Sequence, residues 1–340
     1  MTVAAAAGNR WNAAAVEATV HPSERSFART RRLGDRVGDR LLYSITATAS
    51  VLAVAIVFAI VWRVAAGAWP AIKVFHLQFL WTNDWNAVTS KFGARDLIIG
   101  TLVTSFGAML LAAPLSIAIG LFLSELAPPS VRGPIGTLVE MLAAVPSVVL
   151  GLWGIFVLAP FDAQHVQPFL GRWLGWIPIF AHGQDKVEST VFTAMIILTI
   201  MTIPITSSIC RELFLSVPTE LEEGSIGLGA TRWEMIRTVI VPSVRGGVLA
   251  AVILGLGRAL GEAIAVTQVI GNFIPLKTSI LEPGDTLASR VANQYQGAVN
   301  NLQVASLIYL GFILLVITFL ANFLAQRVVK RFELQWTGGE

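Results

Sequence analysis

Long apolar segments alternate with short polar ones along most of the chain. Six of the apolar segments are long enough to cross a membrane as helices, since a helix rises 1.5 Å per residue. They lie at about residues 41–62, 97–126, 135–158, 190–215, 244–270 and 302–325. The pattern predicts an all-α, polytopic membrane protein with six transmembrane helices and both termini on one side. Pro114 predicts a bend in the second helix, and Pro204 an interruption of the fourth.

The segments outside the six helices differ in composition. Residues 1–40 are rich in Ala and then in Arg, which predicts a mostly disordered cytoplasmic tail whose basic half lies against anionic lipid. Residues 41–95 comprise the first helix and an aromatic-rich outer loop. Residues 161–186 carry two tryptophans but are too polar to span, so we expect them to lie at the outer surface or to dip into the membrane. Residues 332–340 form a short cytoplasmic tail.

The composition supports this interpretation. Hydrophobic residues make up 55% of the chain and charged residues 13%, which indicates an integral membrane protein rather than several soluble domains. The net charge of +3 is too small to indicate a nucleic-acid partner. Lys and Arg are more frequent on the side of the termini than on the other side, and this bias places both termini in the cytoplasm.

The sequence contains no motif for nucleotide binding or catalysis. None of its lysines follows a glycine, so there is no G-x-x-x-x-G-K-[ST] phosphate loop. Cys210 is the only cysteine, and the four histidines have no metal-binding spacing. We therefore expect no enzyme activity, cofactor or metal in this chain. Energy for any transport must come from a separate ATPase subunit or from an ion gradient.

A polar segment, residues 217–242, separates the fourth and fifth helices and is predicted to form helix, turn, helix. Thr219 with Glu222 predicts a capping box, Gly229 a left-handed turn, and Thr231 with Glu234 a second capping box. Pro242 is expected to end the second helix. The apolar face expected to lie along the membrane surface comprises Trp233, Ile236, Val239 and Ile240.

The spacing of Glu223, Gly229 and Pro242 in this segment resembles the cytoplasmic EAA loop of permease subunits in binding-protein-dependent ABC importers. The resemblance implies a type I ABC importer permease fold. In that family the loop inserts into a cleft on the ATPase subunit, so the resemblance assigns coupling to Glu222, Glu223, Gly229 and Pro242. The alternative is an ordinary amphipathic cytoplasmic loop.

Two ionisable residues lie in the interior of the fifth predicted helix, away from Arg245 at its start. Arg258 and Glu262 are four residues apart, so a continuous helix would place them on one face, where they can pair. A charge near the middle of a membrane helix costs about 2.5–3.5 kcal/mol, which makes such a pair a candidate functional site. Arginine suits a tetrahedral oxyanion because its guanidinium stays charged and offers a planar fork of donors. The alternative is a structural salt bridge between packed helices.

Two further features belong to the predicted bundle. Gly257 and Gly261 form a G-x-x-x-G pattern, with Gly255 nearby, and predict close packing of the fifth helix against another helix. Glu140 is expected to be a buried carboxylate in the third helix, either at the inner end of a substrate path or in a structural role.

The segment Gly257–Val266, GRALGEAIAV, followed by Gly271 and Asn272, narrows the resemblance to permease subunits of the phosphate-specific ABC importer. The family usually has Thr where this chain has Ala263. The resemblance covers about residues 96–331, the permease domain, and implies that Arg258 and Glu262 belong to the phosphate path. Of the two related subunit types in that family, the long basic tail favours the PstC type over the PstA type.

The resemblance also implies partners. These are a second permease subunit, a cytoplasmic ATPase dimer that binds ATP and magnesium, an extracytoplasmic phosphate-binding protein and the membrane lipid. Three alternatives remain open from the sequence. They are a permease for another oxyanion such as sulfate or molybdate, an ion-coupled secondary carrier, and an intramembrane enzyme.

Overall fold

The computed structural model describes residues 33–181 and 187–334, and most of these residues are helical. One unit ends at Ala59 and a second begins at Ile60. The helices are α1 (Leu33–Phe75), α2 (Arg95–Leu126), α3 (Pro129–Ala143), α4 (Ser147–Leu174), α5 (Val191–Leu215), α6 (Thr219–Gly227), α7 (Arg232–Gly261), α8 (Ile264–Val269), α9 (Leu287–Gln294) and α10 (Asn301–Leu334). A hairpin of β1 (Trp85–Asn86) and antiparallel β2 (Lys91–Phe92) precedes α2. Short 3-10 turns lie at His76–Leu80 and Pro178–Phe180.

Six of the described helices are long and apolar enough to cross a membrane: α1, α2, α4, α5, α7 and α10. This confirms the prediction of an all-α protein with six candidate transmembrane helices. Pro204 lies inside α5, which continues through it, so the predicted interruption of the fourth helix is wrong. The neighbouring helices pack so closely around this proline that its side chain is buried within the bundle.

The third spanning helix lies further along the chain than predicted. Residues 135–158 do not form one helix, because the chain leaves the helical conformation between Ala143 and Ser147, at Pro146. The spanning helix is α4, which continues to Leu174 through π-helical turns at Gly154–Leu158 and Asp162–Val166. Residues 161–174, which were expected to be too polar to span, thus continue the candidate spanning helix as far as Leu174. Residues 182–186 lie outside the described part.

The ends of the chain also differ from the prediction where they are described. α1 begins at Leu33, so the last residues of the predicted disordered tail are helical, and residues 1–32 lie outside the described part. α10 ends at Leu334, so the C-terminal helix extends two residues into the predicted tail.

The core of the second unit is built where α2, α5 and α7 pack against one another. One buried cluster joins α5 to α8 through residues such as Ile197, Leu198 and Val269. Small residues permit the close approach: a side chain at Gly107 of α2 would collide with Met195 of α5. A second cluster joins the end of α1 and the hairpin to α10, where the rings of Phe79 and Tyr309 stack at 4.6 Å.

A buried ion pair fixes the segment that follows α8. Arg290 of α9 lies 2.6 Å from the carboxylate of Asp285, and both side chains are at least nine-tenths buried. The guanidinium also lies over the ring of Trp85 in β1, 5.7 Å from its centroid. Burial raises the pKa of Asp285 and lowers that of Arg290, because each charge has lost water. The charged form of each side chain is therefore stabilised by the opposite charge of the other.

Replacing Asp285 tests this dependence. Asp285→Asn leaves a buried guanidinium without a counter-charge, and we expect a loss of about 3–5 kcal/mol in stability. Adding Arg290→Met should recover much of that loss, because no buried charge then remains. The measurement is thermal unfolding of the purified complex in detergent.

The matched control is Glu282→Gln, which weakens the Lys277–Glu282 pair, 2.9 Å apart with an exposed lysine. This change should cost no more than about 1 kcal/mol. An equal effect of Asp285→Asn and Glu282→Gln would contradict the structural importance of the buried pair.

Candidate functional site

The polar segment 217–242 forms the helix–turn–helix that its sequence predicts. Gly229 has φ +92°, a left-handed conformation that ends α6 and that favours glycine. Thr231 and Glu234 form a complete capping box at the start of α7. The first predicted capping box is wrong: α6 begins at Thr219 itself, so Pro218 occupies the N-cap position and Thr219 makes no cap hydrogen bond.

The second helix of this segment does not end at Pro242. Its first turn, a π-helical turn at Ile236–Ile240 and the following helix form the continuous α7 up to Gly261. Pro242 lies at the second position of the stretch after the π turn, where a missing N–H is tolerated. The prediction that Pro242 ends the helix is therefore wrong.

The π turn also changes which side chains of α7 are buried. Met235, Ile236 and Ile240 pack against Phe214 at the end of α5, whereas Trp233 is 68% exposed. The predicted apolar face is thus correct only in part, because the extra residue in the turn shifts the register. This face packs on the protein rather than lying along a membrane surface.

The residues expected to couple to an ATPase all belong to the polar segment 217–242 but differ in accessibility. Glu223 and Gly229 are exposed, and Glu222 and Pro242 are half-buried. Leu228, in the turn before Gly229, is 92% exposed, so it joins Trp233 in presenting apolar surface. The sequence reasoning missed Leu228, although a leucine between two glycines in a capped turn is a usable signal.

Negative charge accumulates on α6. Burial raises the pKa of the Glu222 carboxyl, and the charges of Glu125 at the end of α2 and of Glu223 raise it further.

Arg258 and Glu262 do not form the expected pair. α7 ends at Gly261, and Glu262 has an extended backbone with φ −71° and ψ 121°. Because the helix is interrupted between the two residues, they no longer share one helical face, and the structure contains no ion pair between them. The Glu262 carboxylate instead accepts a hydrogen bond, 3.4 Å long, from the backbone N–H of Ala265 in α8.

Arg258 lines a cavity of about 500 Å³ between α5, α7 and α10. Its guanidinium is exposed to this space and makes no ion pair with any residue that the structure describes. The opposite wall carries Thr318 and Asn322 of α10, with Ile205 and Leu254 as apolar neighbours. One permanent cation and two neutral polar groups thus face the same cavity.

The sequence reasoning missed Thr318 and Asn322. They are four residues apart, so they lie on one face of α10, and both are polar positions within the mainly apolar stretch 307–325. That pattern was a usable signal, but only the packing of α7 on α10 shows that the face meets Arg258. An ideal Cβ at Gly257 would lie 3.4 Å from the side-chain oxygen of Asn322.

The packing role predicted for the glycines of α7 applies to a different residue. Gly261 faces open space in this chain, and Gly257 has ordinary contact distances. Gly255 is the close-packed one, since a side chain there would lie 2.7 Å from the hydroxyl of Thr206 and 3.3 Å from Met109. The G-x-x-x-G pattern therefore identifies the right helix but the wrong face.

Glu140 is not buried in a spanning helix, as the sequence analysis expected. It lies on α3, its side chain is 60% exposed, and it is 3.8 Å from Arg211 near the end of α5. The prediction failed because α3 is separated from the spanning helix α4 at Pro146. Glu140 therefore lies on a short helix separate from the spanning helices, and it contacts Arg211.

These features define a class of protein: a polytopic helical bundle with an interrupted spanning helix, an uncompensated cation and a capped polar segment between two spans. A family model described as "Binding-protein-dependent transport system inner membrane component" matches residues 116–334. The chain belongs to this family.

Several members with established names are similar over most of their length. A phosphate transport system permease protein PstC from Pasteurella multocida is 39% identical, covering 90% of this chain and 96% of its own. PstC from Mesorhizobium japonicum is 41% identical, with 87% and 91% covered. PstC 2 from Mycobacterium tuberculosis is 38% identical, with 86% and 92% covered.

Solved structures support the fold. A bacterial alginate ABC transporter has a chain that superimposes with a TM-score of 0.54 at 22% identity, covering 88% of this chain and 99% of its own. A chain of the MetNI methionine ABC transporter gives a TM-score of 0.52 at 17% identity, covering 70% and 95%. At these identities the likeness concerns the fold alone, which is that of ABC importer permeases.

The accessibility of Arg258 can be tested by thiol labelling. Cys210 is fully buried, so a Cys210→Ala background provides a chain without cysteine. In that background Arg258→Cys should react with a membrane-impermeant anionic thiosulfonate about tenfold faster or more than Leu260→Cys, whose side chain is 1% exposed. Equal, slow labelling of both cysteines would show that water does not reach position 258.

Proposed function

We propose that the chain is the PstC-like permease subunit of an ATP-driven phosphate importer. The observation that carries the proposal is the uncompensated guanidinium of Arg258 in a cavity beside a helix interruption. A phosphate that sheds water needs charge-assisted donors, and an arginine fork supplies them. The relatives named as phosphate transport permeases support phosphate as the substrate.

Thr318 and Asn322 are proposed to complete the binding of phosphate beside Arg258. A hydroxyl and an amide can each donate to an oxyanion without adding charge. A single arginine with neutral donors binds phosphate weakly enough for release, which transport requires. Glu262 is proposed to limit anion affinity further and to keep the interruption ordered, since its carboxylate caps the start of α8.

The remaining parts of the importer are proposed to be separate chains. A second permease subunit of the PstA kind completes the path, and a phosphate-binding protein of the PstS kind delivers the anion from outside. A PstB-like ATPase dimer binds ATP and magnesium and receives the polar segment 217–242. Both termini lie in the cytoplasm in this arrangement, because Lys and Arg are more frequent on their side.

Other oxyanions remain the alternative within the same class. Sulfate and molybdate share the tetrahedral geometry that Arg258 can bind, so the cavity alone does not exclude them. Glu140 is assigned no part in the path, because its exposure and its contact with Arg211 support the structural alternative.

Uptake by reconstituted vesicles tests this function. The four-component complex in vesicles should take up radiolabelled phosphate only with ATP. A tenfold excess of sulfate or molybdate should inhibit uptake by no more than about a tenth if the site prefers phosphate by about 2.8 kcal/mol, which is a hundredfold in affinity. Uptake of sulfate in place of phosphate would overturn the substrate. Phosphate uptake that needs an ion gradient and no ATP would overturn the importer mechanism.

Two matched glycine variants test the proposed coupling role of the polar segment 217–242. Neither Gly227 nor Gly229 has a neighbour within 4 Å of an added Cβ, but only Gly229 has a positive φ. Gly229→Ala should therefore strain the turn by about 1–2 kcal/mol and lower transport-coupled ATP hydrolysis several-fold. Gly227→Ala should leave it unchanged.

The measurement is ATP hydrolysis by the purified complex in the presence and absence of the phosphate-loaded binding protein. Equal stimulation in both variants, at equal assembly, would contradict the assignment of the segment to coupling.

A further inference from the structure

A second cavity lies away from Arg258, at the end of the bundle where α2 and α10 begin. It measures about 530 Å³ and is an open groove between the 3-10 turn that follows α1, the start of α2 and the middle of α10. Apart from Arg95 at its mouth, the groove is lined by apolar and aromatic side chains such as Leu77, Ile99 and Phe312. Behind its wall the rings of Phe79 and Tyr309 stack, which makes that wall rigid.

The length of the groove along α10 is close to the hydrocarbon depth of one membrane leaflet. Its lining residues on α10 run from Tyr309 to Ile317, which is about 12 Å along a helix. One leaflet of a bilayer has a hydrocarbon depth of about 15 Å. The groove is also apolar and exposed, since Leu77 is 71% and Ile99 39% exposed. Its shape thus fits an acyl chain lying parallel to the spanning helices.

The mouth of the groove carries an available positive charge. Arg95 is the first residue of α2, it is exposed, and it makes no ion pair with any residue in the described ranges. Its neighbour Asp96 is buried and accepts a 2.9 Å hydrogen bond from the N–H of Leu276, so that carboxylate is used inside the protein. The positive end of the α2 dipole adds to the charge of Arg95.

Trp81 marks the level of the membrane interface at this mouth. Its side chain is 76% exposed and lines the groove beside Arg95. Exposed tryptophans are typical of the headgroup region, where an indole meets both hydrocarbon and water. A guanidinium at this level lies where lipid phosphates lie.

We propose that this groove binds one glycerophospholipid, with an acyl chain along α10 and its phosphate on Arg95. The alternative occupant, an apolar helix of another subunit, would leave Arg95 without an anionic partner at the interface. The charge at the mouth therefore favours the lipid. The site is distinct from the cavity at Arg258 and does not depend on which substrate the protein transports.

The test compares two lipids on the purified, delipidated complex. Dioleoyl phosphatidylglycerol and dioleoyl glycerol share their chains, but only the first carries a phosphate. By native mass spectrometry, Arg95→Gln should weaken phosphatidylglycerol binding about tenfold or more and leave dioleoyl glycerol binding unchanged. Lys91→Gln removes an exposed charge from the nearby hairpin outside this groove and should change neither. Equal phosphatidylglycerol binding by wild type and Arg95→Gln would overturn the assignment of the phosphate to Arg95.

Photo-crosslinking detects the occupant of the groove without any substitution at Arg95. A benzophenone amino acid at position 99 in membranes should give an adduct with phospholipid. An adduct with another subunit in its place, or no lipid adduct at all, would overturn the proposal.

Discussion

A spanning helix that stops inside the membrane leaves backbone groups that hydrocarbon cannot satisfy, and this constraint governs the structure around Gly261 and Glu262. Side chains of the same chain form hydrogen bonds with backbone groups at the interruption. The Glu262 carboxylate accepts from Ala265, and the hydroxyl of Thr267 donates to the carbonyl of Ala263. The short helix α8 packs against α4 and α5, and its Ala265, Val266 and Val269 are buried there. An interruption supported in this way can hold Arg258 without a partner carboxylate.

The support extends beyond α8. The amide of Asn272 donates to the carbonyl of Thr267, and the hydroxyl of Ser289 in α9 donates to the side chain of Asn272. Arg290, the residue after Ser289, contacts Asp285 and the ring of Trp85. The buried ion pair and the interruption therefore belong to one connected set of contacts.

Much of this architecture could be predicted from local sequence. Hydropathy identified six spans, and the spacing of Thr231 with Glu234 identified a cap, because both depend on neighbours in the chain. The failures share a different cause. The break at Glu262 and the continuation of α7 through Pro242 are decided by tertiary packing and by a π turn, which periodicity does not encode. Thr318 and Asn322 could not be assigned to the site, since their role depends on which helix faces them.

The central claim is that the unpaired charge of Arg258 binds the transported anion. The most direct measurement is radiolabelled phosphate uptake by cells that carry wild type or Arg258→Gln, with membrane levels checked by blotting. Arg327→Gln, which removes an exposed charge from α10 outside the cavity, is the control. The account predicts that Arg258→Gln abolishes uptake at normal protein level while the control transports normally. Unchanged uptake in Arg258→Gln would contradict it.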